Sequence, residues 1–417
     1  MNEVVVTGLG FITSIGNSRG AVLDSLRECR SGVELMPELV EANASVKLAG
    51  TVKGFTFPTT DPLDWTFPEQ VEMTRGQLRT STPNVLYAIA AMEEAIADAQ
   101  LTSDMVSSPD TGLYCASAGS SWLTHAVLSS VFERGANRTS APLVISGMPN
   151  SLHLNLTSRY RIKGDSLGFS SACASSAHAL GFALDQIRMG RQKRIVVVGA
   201  EDCHPCNILP FAALRALSSQ SDPRLAPRAF DRAREGFVIT GGSTVLVLEA
   251  ASEAAARGAR IHAKVRGWGQ ASDGHDVVAP DPAGAGLARA MIHALDDARM
   301  RPEEIDYLNA HATSTIAGDI VEIRALRTVF EATKFPKVSS TKSLTGHGLS
   351  MSGAMEAAFC CLALTERFYP VSANITQLDP ACAGVPVITA AVEGFPLTAM
   401  SNSSGFGGSN VSLIFSA

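Results

Sequence analysis

Val4-Val5-Val6-Thr7-Gly8-Leu9-Gly10 is a β-branched apolar run that ends in Gly-x-Gly, a strand feeding a turn. The form returns 259 residues later as Ala263-Lys264-Val265-Arg266-Gly267-Trp268-Gly269, alternating apolar residues leading into Gly-x-Gly. Neither turn carries the full Gly-x-Gly-x-x-Gly fingerprint with an acidic residue in place, so a dinucleotide site fits poorly. Two similar halves explain the echo better, with a break near residues 252 to 262 and halves of 1–255 and 256–417. Between the echoes, strand-like runs such as Arg194-Ile195-Val196-Val197-Val198-Gly199-Ala200 and Ser243-Thr244-Val245-Leu246-Val247-Leu248-Glu249 alternate with alanine-rich stretches. Those stretches, at 86–99, 252–258, 286–299 and 320–330, predict helices. The alternation predicts an α/β fold whose sheets are covered by helices.

The chain has 417 residues, 46% hydrophobic and 18% charged, which fits a compact protein. A net charge of -6 argues against a general nucleic-acid binder. The first residues read as strand and turn, not as a cleavable leader, and no apolar run is long enough to span a membrane. A soluble cytoplasmic protein is the expectation. The eight cysteines form no disulfide framework. Cys203-His204-Pro205-Cys206 has metal-like or redox-like spacing but no second pair to complete a site, so no metal is expected.

Cys173 lies in Ser170-Ser171-Ala172-Cys173-Ala174-Ser175-Ser176-Ala177-His178-Ala179-Leu180, where the strand-like Ser166-Leu167-Gly168-Phe169 gives way to a predicted helix. A thiol at a helix start meets unpaired N–H groups and the positive end of the dipole, which predicts a depressed pKa and a nucleophile. A small buried core cysteine is the plain alternative. Three segments of the second half supply partners. Tyr307-Leu308-Asn309-Ala310-His311-Ala312-Thr313-Ser314-Thr315 is an apolar strand ending in a histidine and two hydroxyls. Ser340-Thr341-Lys342-Ser343-Leu344-Thr345-Gly346-His347-Gly348 sets a lysine and a histidine in a glycine-flanked turn before a helix over 354–364. Ser401-Asn402-Ser403-Ser404-Gly405-Phe406-Gly407-Gly408 is a turn whose glycines free backbone N–H groups to face a ligand. Each alone also reads as a capped strand end, a surface turn or a glycine hairpin.

Together these motifs resemble the elongating β-ketoacyl-acyl-carrier-protein synthases, condensing enzymes of the thiolase-like fold, and nearer their bacterial first class. The likeness runs from Val4 to Leu413 and includes Phe230-Asp231-Arg232-Ala233-Arg234-Glu235-Gly236-Phe237-Val238 and Ser272-Asp273-Gly274-His275-Asp276. The resemblance implies two similar halves, each with a mixed sheet, layered αβαβα. It also implies decarboxylative Claisen condensation of an acyl chain on Cys173 with a malonyl carrier protein. Cys173 and Phe406 would form the oxyanion hole through their amides, with Phe406 also a gate. His311 and His347 would act as neutral donors to the malonyl thioester oxygen. Lys342 would hold the surrounding charge network with Asp319, Glu322 and Glu356, for which plain salt bridges are the alternative. Thr313 and Thr315 would bind the phosphopantetheine arm, and Phe237 would lie beside the malonyl carboxylate.

No cofactor is implied beyond the phosphopantetheine that arrives on an acidic acyl carrier protein. Arg75, Arg79, Arg134 and Arg138 are candidate docking residues, with solvated surface arginines as the alternative. A homodimer is implied, and a heterodimer with a related subunit stays open. Ala312, Ile316 and Ser350-Met351-Ser352-Gly353 depart from the family's glycine, proline and Gly-Ala-Ala-Gly, which leaves a specialised polyene or polyketide-type pathway open beside fatty-acid elongation. An acyltransferase that does not decarboxylate and a non-catalytic partner subunit are the competing readings. His311 and His347 count against the first, Cys173 against the second.

Overall fold

The computed structural model describes residues 2–42, 44–390 and 392–417. Ten strands carry the fold: β1 (Val4–Ile12), β2 (Thr111–Ala116), β3 (Ser166–Phe169), β4 (Arg194–Glu201), β5 (Gly242–Ala250), β6 (Ala263–Ser272), β7 (Tyr307–Asn309), β8 (Lys337–Ser339), β9 (Thr398–Gly405) and β10 (Ser409–Ser416). They pair in the order β8-β7-β9-β10-β6-β1-β5-β4-β2-β3. Read outward from the centre, β1-β5-β4-β2-β3 and β6-β10-β9-β7-β8 are one arrangement used twice, with two antiparallel pairings followed by two parallel ones. The two mixed arrays meet edge to edge, because Val4, Val5 and Val6 pair antiparallel with Val265, Lys264 and Ala263. Each half thus contributes its own mixed array, as the resemblance implied, and this edge pairing joins the two into one ten-stranded sheet.

The echo in the sequence has a structural cause. Val5 pairs with Lys264, the residue that echoes it, so a local two-fold passes between them. Each copy also carries a β-bulge: the register skips Thr7 in β1 against β5, and skips its echo Arg266 in β6 against β10. The glycines let a helix lie close on the sheet. A Cβ at Gly10 would sit 1.8 Å from the carbonyl oxygen of Ala91, and one at Gly269 would sit 2.2 Å from that of Ala290. These are packing glycines in both halves, and no phosphate site is built there.

Five helices set the layers: α1 (Pro83–Asp98), α2 (Ser175–Arg188), α3 (Ala285–Ala298), α4 (Ile316–Phe330) and α5 (Ser352–Glu366). α1 packs with Val196, Val198, Val245 and Val247 on one outer face of the sheet. α3 and α4 pack with Leu308, Met400 and Ile414 on the other. The alternate residues of the same strands, Val197, Leu246 and Leu248 on one side and Val411, Leu413 and Phe415 on the other, share a middle core with α2 and α5. The order helix, sheet, helix, sheet, helix follows. α5 is buried on every face from Ser352 to Leu364, which is why its sequence is apolar without a polar stripe. The site lies where the starts of α2 and α5 meet the ends of β7 and β9.

Candidate active site

Cys173 stands in a tight turn between β3 and α2, where Ala172 takes a left-handed φ of 50°. Ser175 cinches this turn: its hydroxyl donates to the Ala172 carbonyl (2.6 Å) and accepts from the Ser171 N–H (2.8 Å). The hairpin joining β9 and β10 leans on the same turn, and a Cβ at Gly405 would fall 3.1 Å from the Cys173 nitrogen. That approach brings the Phe406 end of the hairpin beside the cysteine. Among the described residues, neither the Cys173 nor the Phe406 N–H has a backbone acceptor. Both are available to an oxyanion.

Cys173 Sγ lies 3.1 Å from His347 Nε2. The His311 ring stands nearly perpendicular to that of His347, with centroids 5.3 Å apart, and Phe237 packs edge-on to His347 at the same separation. Burial holds both imidazoles well below the ordinary histidine value, and the nearby Lys342 cation adds to this, with His347 contributing at His311. Both rings are neutral at pH 7, as the sequence reading required. The cysteine departs from it. Burial pushes the Cys173 thiol up to about 12; Lys342 draws it down, and Glu201 and Glu356 push it higher. Desolvation of a charged sulfur is the largest influence here, and a thiol pushed that high rests protonated.

The acidic residues take three different positions, with Glu356 and Glu322 both in the field of Lys342 and of each other. Glu356 makes the buried ion pair with Lys342, and burial raises its carboxyl to about 7 against the pull of that lysine. Glu322 fixes the backbone at the end of β7: the N–H groups of His311 (3.0 Å) and Ala312 (2.7 Å) donate to it, as does Asn402 Nδ2 (3.1 Å). Asp319 turns to a different cation, Arg234, at 3.4 Å. It also accepts from the Ser314 and Phe230 N–H groups. Arg234 further donates to the carbonyls of Thr315 and Ile316. The pair thereby shapes the loop that presents Thr313 and Thr315, whose hydroxyls are 3.3 Å apart.

A cavity of about 340 Å³ joins these groups, lined by Cys173, His311, His347, Phe237, Phe406 and both threonines. Arg75, Arg79, Arg134 and Arg138 lie outside this lining and are exposed, the first two on helix Arg75–Thr80 and Arg134 at the end of helix Ser121–Arg134. Cys203 and His204 are taken up by packing: the Cys203 thiol donates to the Gly50 carbonyl, while His204 stacks on Trp122 and accepts from the Cys206 N–H. Sequence reasoning missed Arg234 and Asn402. Arg234 sat inside a segment already singled out, but only the fold shows that it reaches the threonine loop.

Residues 1–254 match the family model described as beta-ketoacyl synthase, N-terminal domain, and residues 262–376 match beta-ketoacyl synthase, C-terminal domain. The chain belongs to the beta-ketoacyl synthase family. It is 40% identical over 420 residues to 3-oxoacyl-[acyl-carrier-protein] synthase 1 of Haemophilus influenzae, covering 100% of this chain and 99% of that protein. A beta-ketoacyl synthase from Burkholderia phymatum superposes with a TM-score of 0.90 at 33% identity, covering 100% of this chain and 99% of that one. The ishigamide ketosynthase/chain length factor superposes at 0.88 with 30% identity, over 100% of this chain and 99% of that one.

Proposed function

We propose that the protein condenses an acyl chain held on Cys173 with a malonyl group presented by an acyl carrier protein, releasing carbon dioxide and 3-ketoacyl carrier protein. The observation that carries this reading is a cysteine in contact with one neutral histidine and adjoining a second, inside one cavity. In the first stage the Cys173 sulfur attacks the acyl thioester, the amides of Cys173 and Phe406 hold the oxyanion, and the carrier thiol leaves with a proton. In the second the malonyl thioester oxygen takes hydrogen bonds from Nε2–H of His311 and His347. Loss of carbon dioxide leaves an enolate whose carbon attacks the acyl-cysteine and expels the Cys173 thiolate, which takes up one proton from water to restore the thiol. Two neutral donors suit the enolate because they stabilise its charge without protonating it outright. Phe237 supplies an apolar wall beside the leaving carboxylate.

Thr313 and Thr315 hold the phosphopantetheine arm, which comes with the carrier protein, and no other cofactor is used. The exposed arginines Arg75, Arg79, Arg134 and Arg138 meet the acidic carrier. Two copies pair through the free edge of β3, where Leu167 is exposed. The ketosynthase/chain length factor relative makes a related subunit the other partner to test. Eight free thiols support a cytoplasmic location.

Purified protein is incubated with acyl and malonyl carrier proteins while carbon dioxide and 3-ketoacyl product are both followed. Release with product supports condensation. An acyl-enzyme without release identifies a transferase, and neither identifies a partner subunit.

A further inference from the structure

His347 has a partner on each side of its ring. Nε2 faces the Cys173 sulfur, and Nδ1 lies 3.0 Å from the hydroxyl of Ser352, the first residue of α5. Which ring nitrogen carries the proton is set by the hydrogen bond that the other makes. The Ser352 hydroxyl is fully buried. Among the described residues, it has no hydrogen-bond partner other than Nδ1. If it accepted from Nδ1–H, its own proton would be buried without an acceptor; if it donates, only lone pairs go unused.

We propose that Ser352 is a positioning residue that donates its O–H to His347 Nδ1 and so keeps the proton of this ring on Nε2, where the thioester oxygen is bound. The inference rests on the condensing function only for its consequence in rate. The same bond fixes the ring plane, which Phe237 also packs edge-on. Ser350 provides a control, because it stands in the same run as Ser352 but is directed to Glu201 and makes no hydrogen bond to His347 among the described residues.

The test is nitrogen-15 NMR of histidine-labelled protein, with the His347 signals assigned by their loss in His347→Ala. The wild type is expected to show Nε2 protonated and Nδ1 bare. In Ser352→Ala that signature is expected to give way to an Nδ1-protonated or mixed ring, while Ser350→Ala keeps it. In parallel, the acylation rate and the condensation kcat of Ser352→Ala are both expected to fall about ten-fold, with KM within about two-fold, because Nε2 faces the Cys173 sulfur as well as the thioester oxygen; this is the scale of losing an outer partner that orients a histidine. A wild-type ring protonated on Nδ1, an unchanged signature in Ser352→Ala, or an equal change in Ser350→Ala would overturn the proposal. A wild type with no condensation activity would instead count against the proposed function, and the tautomer result would still decide the role of Ser352.

Discussion

The Cys173 thiol is protonated at rest, so its reactivity depends on what stabilises negative sulfur at the moment of attack. His347 Nε2 at 3.1 Å and the Lys342 cation are the groups placed to do so. Cys173→Ser is expected to abolish acylation, seen as loss of the acyl adduct by intact mass. His311→Ala is expected to keep the adduct and to lose carbon dioxide release by roughly 10²- to 10³-fold, the scale of removing one oxyanion donor. Glu201 gives a pH dependence. Burial raises its carboxyl to about 8, although Ser350 and Ala118 donate to it. A raised carboxyl binds a proton in the folded state that the unfolded chain has already lost. Its contribution is therefore whole below the ordinary glutamate value of 4.5 and is lost as the pH climbs through about 8. Urea unfolding of Glu201→Gln and wild type should show the wild type losing ground to the variant between pH 5 and pH 8.5, as roughly one proton's worth of slope; parallel curves would contradict it. Nucleophile and histidines were legible in the sequence as reactive residues in small or glycine-rich surroundings. The neutral state of the histidines was an expectation of the resemblance; the raised thiol of Cys173 was not legible, because it depends on burial among residues distant in the chain, His347 among them.

At the scale of elements, the repeated Gly-x-Gly was legible as an echo but not as packing. Only the register shows that each glycine faces the backbone of a covering helix. Gly10→Ala must push α1 away from β1 and is expected to cost about 3 kcal/mol in urea unfolding, with Gly269→Ala similar at α3. The helices expected at 86–99, 286–299 and 320–330 formed within a few residues of those bounds. Asp319 illustrates what one-dimensional reading leaves out. It follows Thr315 closely in the chain, but the cation that sets its role is Arg234, brought over from the other side of the site.

For the whole molecule, doubling of one strand order around the Val5–Lys264 pair places the cysteine turn and the histidine segments at one end of a shared middle core. Through this arrangement a nucleophile in the first half meets His311, Lys342, His347 and the Phe406 hairpin of the second. Carrier docking is also a property of this scale. Arg79→Glu is expected to raise KM for carrier-bound substrates roughly five-fold at low ionic strength and little at high, with kcat for the bound complex unchanged.

The most direct measurement of the central claim is a single turnover in which enzyme loaded with an acyl group on Cys173 is mixed with malonyl carrier protein. Carbon dioxide and 3-ketoacyl product should appear in equal amounts as the acyl adduct disappears from Cys173. Carbon dioxide without product, or an adduct that persists on Cys173, would contradict the account.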